Sequence, residues 1–301
     1  MKKICIIPMC PRTGSSYLNR FIKKYKDCFY LGEFLDPFYI LRPYKNDDPV
    51  RNLVEGISDH HFIRKIIYKR EEYNKTLTEI WKPDWFTINY YLDNKFKIKL
   101  EKKHKPNYED VPTVLKHNVD IILNSQESIL FKMFPMWIQN QFFSNVTIDI
   151  FKNIEEDLQL IYLKRKNILD ICLSFILAKQ TGFFTFLNDA TKFEINKDYK
   201  FNCDVSFINT IFNNIVAFEK TKNELKNIKS TTIYYEDMFD DNKLLKQLDL
   251  KQENKNEFIL PKKLYPSQSF EDKMNCIENQ DEFYNEYNKG MEILKQQEIE
   301  I

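Results

Sequence analysis

The stretch Ile4-Cys5-Ile6-Ile7-Pro8-Met9-Cys10-Pro11-Arg12-Thr13-Gly14-Ser15-Ser16-Tyr17-Leu18 decides the fold. Ile4 to Ile7 form an unbroken apolar run, the pattern of a strand covered on both faces of a sheet. A polar turn follows from Cys10 to Ser16. Tyr17, Leu18, Phe21, Ile22 and Tyr25 then recur at helical spacing. The stretch therefore reads as strand, turn, helix. A turn of this kind sets free backbone N–H groups and the positive end of a helix around an anion, which suits a phosphate.

Further strands are expected around Phe29-Tyr30-Leu31-Gly32, at Ser128 to Phe134 ahead of Pro135, at Leu158 to Leu163, and at Thr231 to Tyr235 ahead of Glu236-Asp237-Met238. Asn167 opens a helix through Ile168, Leu169, Ile171, Cys172 and Phe175, with Asn167 as N-cap and Asp170 at the third helical position. Helical patterning also covers about Val205 to Leu225, and a charged helical tail from Asp281 to Ile301 is expected on the surface. Strands separated by long helical stretches predict an α/β fold with a mostly parallel central sheet and helices on both faces. Residues 39–128, rich in charge and aromatics, show no repeat or strand alternation and read as helices and loops over the sheet.

The chain has 301 residues, 43% hydrophobic and 15% aromatic, which excludes disordered, collagen-like and mini-protein classes. One domain over 1–301 is the expectation. The 45 basic residues meet 44 acidic ones, so the net charge of +1 implies no general polyanion surface and no nucleic-acid partner. Any basic site must be local. The apolar run before Arg12 is too short for a membrane span and lacks a cleavage site, so a soluble cytoplasmic protein is expected, in the host cytoplasm for a viral chain. Cys5, Cys10, Cys28, Cys172, Cys203 and Cys276 form no C-x-x-C pair. The histidines at 60, 61, 104 and 117 are not spaced with them, so neither a disulfide framework nor a metal site is expected.

The turn is not a nucleotide-kinase P-loop. That motif needs G-x-x-x-x-G-K-[ST], and here Met9 stands at the first glycine and Ser15 at the lysine. A tyrosine-phosphatase loop fails as well, since Ser16 stands where an arginine should follow Cys10. Pro11-Arg12-Thr13-Gly14-Ser15-Ser16-Tyr17-Leu18 followed by Leu31-Gly32-Glu33-Phe34 instead resembles the start of sulfotransferases that use 3′-phosphoadenosine-5′-phosphosulfate (PAPS). Leu160 to Asn167 with Asp170 and Ser174 is similar to that family's second motif. Tyr234-Tyr235-Glu236-Asp237-Met238 is similar to its Y-E-D strand, and Phe131 to Pro135 and Gln180-Thr181-Gly182 to segments of bacterial carbohydrate sulfotransferases.

The resemblance implies a P-loop-like three-layer α/β/α fold, with extra helices over the active-site edge and residues 39–128 forming part of the acceptor site. It implies PAPS as donor without a metal, and a hydroxyl-bearing acceptor, a carbohydrate or glycolipid rather than a protein tyrosine. It places Arg12, Thr13, Gly14, Ser15 and Ser16 on the 5′-phosphosulfate, Arg165 and Ser174 on the 3′-phosphate, and Tyr235 against the adenine. Arg12 and Lys132 would stabilise charge, and Glu33 would be the general base. The chain departs from the family in having Lys166-Asn167 after the arginine and in lacking the glycine-rich late loop, for which Lys262, Lys263, Ser267 and Ser269 are possible substitutes. Two other readings stay open: an inactive nucleotide-binding module on the same fold, and a non-standard P-loop phosphotransferase.

Overall fold

The computed structural model describes residues 3–26, 28–30, 128–139, 144–181, 200–251 and 270–300. Over these residues the chain runs β1 (Lys3–Pro8), α1 (Ser15–Tyr25), β2 (Phe29–Tyr30), β3 (Ile129–Lys132), α2 (Pro135–Ile138), α3 (Ser144–Asn153), β4 (Leu158–Lys164), α4 (Ile168–Thr181), α5 (Ser206–Glu224) and β5 (Ser230–Tyr234). A single 3-10 turn (Tyr235–Asp237), α6 (Asp241–Leu248), α7 (Phe270–Asn275) and α8 (Gln280–Gln296) follow. The strands form a parallel sheet in the order β2-β3-β1-β4-β5, so the protein is α/β. Two compact units are distinguished. Met1–Ile7, Asp27–Ile161 and Glu224–Thr231 make the first; Pro8–Lys26, Tyr162–Asn223 and Thr232–Ile301 make the second.

In the first unit β3 lies between β1 and β2, with Ile4 opposite Leu130, Cys5 opposite Phe131, and Phe29 opposite Ile129. Every residue of β1 and β4 is buried, the condition in which a strand loses its alternation and reads as a continuous apolar run. The ring of Phe151 on α3 lies 6.2 Å from that of Phe131 on β3. β5 differs. Ile233 is its one fully buried residue, as suits a strand at the edge of a sheet.

In the second unit α4 buries Ile168, Ile171, Cys172, Leu173, Phe175, Ile176, Leu177 and Ala178, which cover most of its circumference and make it an interior helix. α5 packs Phe218 edge-on against Tyr162 at 5.5 Å, and Phe207 meets Phe175 at 6.0 Å. Among the described residues no helix is long and apolar enough to cross a membrane.

Three expectations need correction. The tail helix α8 is not simply a surface element: Phe283, Gly290 and Leu294 are buried, Tyr287 lies 5.8 Å from Phe212 of α5, and Asn209 donates to Glu286 at 2.7 Å. An amphipathic helix with one apolar stripe has a covered face as well as a wet one. Pro135 does not merely end β3. It opens α2, where its missing N–H costs nothing. The last strand stops at Tyr234, so Tyr235 begins the following 3-10 turn. Residues 39–128 lie outside the described residues apart from Ser128.

Gly290 carries a consequence for stability. A Cβ built there falls on the Phe212 ring, although alanine ordinarily stabilises a helix interior by about 1 kcal/mol over glycine. Gly290→Ala should therefore lower the thermal midpoint, the overpacking cost of about 1–3 kcal/mol outweighing the propensity gain. A calorimetric melt of the variant beside the wild type checks this, and an unchanged or raised midpoint is the contrary result.

Candidate functional site

The turn between β1 and α1 is built from two left-handed residues, Arg12 at φ 70° and Gly14 at φ 87°. Between them Thr13 is buried and donates its hydroxyl to the Cys10 carbonyl at 2.9 Å, which closes the turn. Gly14 is the N-cap of α1, and its carbonyl accepts from Tyr17 N–H at 3.0 Å and Leu18 N–H at 3.2 Å. The amides of Ser15 and Ser16 precede these bonds and face the amino end of the helix, where an anion is favoured. A Cβ on Gly14 would meet Tyr235 Cδ2 and Met238 Cε, each at 2.6 Å, so the glycine is needed both for its φ and for close packing.

The second cluster sits where β4 passes into α4. Asn167 caps α4 by accepting from Asp170 N–H at 2.9 Å, the arrangement expected from the sequence. Asp170 then takes two cations. Its Oδ2 is bonded by Arg165, and its Oδ1 accepts from Lys273 Nζ of α7 at 2.6 Å. Arg165 also donates to the Arg12 carbonyl at 3.0 Å, which ties it to the β1–α1 turn. The Tyr235 ring covers its guanidinium at 4.3 Å. Arg165 Nε is buried without a hydrogen-bond partner among the described residues. Lys273 Nζ stands 3.4 Å from Ser174 Oγ.

The electrostatics follow from this gathering. Burial and then the nearby Arg165 lower the affinity of the Arg12 guanidinium for its proton, with Tyr235 and Asp170 acting in the opposite sense. Burial raises the Tyr235 phenol above its ordinary range against the pull of Arg165. Burial and then Cys172 push the Cys10 thiol well up, and Arg165 only partly offsets them, which disfavours the thiolate form. Two cations, Arg165 and Lys273, thus share the Asp170 carboxylate, and the Arg12 guanidinium feels the charges of both Arg165 and Asp170. That excess of positive charge is suited to a phosphate and unsuited to a cation. Among the described residues no group of three or more acidic, histidine or cysteine side chains could hold a metal.

Of the residues singled out from the sequence, Arg12, Thr13, Gly14, Ser15, Ser16, Arg165, Ser174 and Tyr235 all fall in the second unit. Thr13 is committed to holding the turn, and Tyr235 lies on Arg165 and against Gly14. Lys132 belongs to the first unit, buried at the end of β3 with its Nζ 5.0 Å from the Phe134 ring. Gln180 is exposed near the end of α4. Glu33, Gly182, Lys262, Lys263, Ser267, Ser269 and the four histidines lie outside the described residues. Lys273 was not expected. It stands in a mixed-polarity hexapeptide, Phe270 to Asn275, and nothing in that local pattern announces a buried lysine. No protein-family model and no curated protein matches the chain.

Gly14→Ala provides a test of the turn. It should lower the midpoint of the ligand-free protein, through the φ penalty and the clash with Tyr235, by about 1–3 kcal/mol. Ser16→Ala, which requires neither change, should leave the midpoint within about 0.5 kcal/mol of wild type. Comparable losses for the two variants would place the strain elsewhere.

Proposed function

We propose that the protein is a sulfotransferase that moves a sulfuryl group from PAPS to an acceptor hydroxyl, on a carbohydrate or glycolipid rather than on a protein tyrosine. The observation that carries this reading is the pairing of Arg165 and Lys273 on a single Asp170, with Arg165 also bonded to the Arg12 carbonyl in the turn before α1. A nucleotide with phosphates at both 5′ and 3′ positions needs two linked anion sites, and the Arg165 bond to the Arg12 carbonyl links these two clusters. On this reading the Ser15 and Ser16 amides and Arg12 hold the 5′-phosphosulfate, and Arg165 and Ser174 hold the 3′-phosphate. The Tyr235 ring packs on Arg165 and offers an edge to the adenine.

PAPS, when bound, supplies an activated sulfuryl group on a phosphate leaving group. The chain's tasks are then to take the proton from the acceptor oxygen and to stabilise the negative charge that develops on the departing phosphate. Arg12 and the turn amides serve the second task, because donors fixed in place by the fold need little reorganisation as charge develops. Glu33 serves the first in this proposal, accepting the hydroxyl proton as the oxygen–sulfur bond to the acceptor forms and the sulfur–oxygen bond to the phosphate breaks. Lys132 is a secondary charge stabiliser. The sheet and helices belong, on the same reading, to a P-loop-like three-layer α/β/α domain of a cytoplasmic protein, with residues 39–128 contributing to the acceptor site.

Titration calorimetry with adenosine 3′,5′-bisphosphate and adenosine 5′-monophosphate tests the nucleotide assignment. The wild type should prefer the bisphosphate, and Arg165→Ala should cost it about 2 kcal/mol, or about thirtyfold in affinity. A preference that survives the substitution would sink the role given to Arg165. For the chemistry, Glu33→Gln should keep bisphosphate affinity near wild type while transfer to an alcohol falls by roughly 10²- to 10⁴-fold. A full rate in that variant would return Glu33 to a local structural part.

A further inference from the structure

We propose that Lys273 of α7 is a direct contact of the 3′-phosphate, a second cation beside Arg165 in the same anion site. The inference rests on the nucleotide reading above and adds to it a residue 99 positions beyond Ser174 in sequence. Lys273 is buried, its side chain 8% exposed, which is costly for an ammonium unless anions surround it. Of its three donors, one goes to Asp170 Oδ1 at 2.6 Å and a second reaches Ser174 Oγ at a long 3.4 Å. Among the described residues one donor is left for a further acceptor. Arg165 and Lys273 are held by the two oxygens of the same carboxylate, so both cations stand within reach of one small anion. Among the described residues these two cations carry two positive charges against the single charge of Asp170, which leaves net positive charge for an anion. A phosphomonoester carries about −1.5 to −2 near neutral pH. A purely structural Lys273 would instead serve only to fasten α7 to α4 through Asp170.

The two roles separate in calorimetry of Lys273→Gln and Lys273→Arg with adenosine 3′,5′-bisphosphate and adenosine 5′-monophosphate. K273Q, which keeps a hydrogen-bond donor without the charge, should weaken the bisphosphate on the order of tenfold and leave the monophosphate unchanged. K273R should keep the wild-type preference. Equal weakening of both nucleotides by K273Q, no weakening of either, or a lost preference in K273R would overturn the assignment. A wild type that binds the two nucleotides equally would instead overturn the nucleotide reading. In that case inorganic phosphate is the probe. Thermal protection by phosphate that is present in wild type and K273R and absent in K273Q upholds Lys273 as an anion contact, whereas protection that persists in K273Q removes it.

Discussion

A buried carboxylate holding two cations organises the second unit. Asp170 sits in the first turn of α4 with its backbone N–H capped by Asn167, and its two oxygens fix Arg165 from the end of β4 and Lys273 from α7. Desolvating three charges costs more than a comparable apolar contact, so the triad is poor evidence for stability taken alone. It is better understood as preorganisation. Two cations that would otherwise sample many rotamers are held in place, which would leave little ordering to be done if an anion binds there as proposed. The position of α7 depends on the same carboxylate, which makes the site a meeting point of segments that are remote in the chain.

The β1–α1 turn meets a second constraint, set by backbone rather than charge. Left-handed conformations at Arg12 and Gly14 flank Thr13, whose hydroxyl holds the turn to Cys10. A left-handed conformation is uncommon for arginine and persists where surrounding contacts over-determine it, most often at functional sites. Here the Arg12 carbonyl is held by Arg165, and the space above Gly14 is filled by Tyr235 and Met238. In a chain with only five glycines, one is placed where both φ and packing demand it. The turn and the Y-E-D segment are therefore packed as one piece, with Tyr235 touching both the glycine and the arginine of the second cluster.

The physics of each element explains how far the sequence could be read. β1 and β4 were legible because a strand covered on both faces must be apolar throughout, and α4 because Asn167 and Asp170 stand at cap and third position before an apolar run. The turn was legible because Gly14 and two serines follow a strand and precede a helical pattern. Lys273 was not. Its burial is decided by Asp170, 103 residues away, and a lysine in a six-residue helix looks locally like any solvated charge. The covered face of α8 was missed for a related reason: Gly290 gives no apolar signal, yet its lack of a side chain is what admits the Phe212 ring. Tyr235 was assigned to the strand rather than the turn after it, a one-residue shift that local propensity does not resolve.

A net charge of +1 over 301 residues is compatible with a local cluster of basic side chains because the two quantities act over different ranges. Beyond about 8–10 Å, solvent and salt screen exposed charges, so the near balance of basic and acidic residues leaves little long-range field to draw in a polyanion. Arg12, Arg165 and Lys273 act at contact distance, where the effective dielectric is lower and each charge counts for more. Only a small ligand that reaches the turn experiences their excess. On the proposed function, a doubly phosphorylated nucleotide would be recognised by this local cluster rather than by a uniformly basic surface, which would attract polyanions without discrimination.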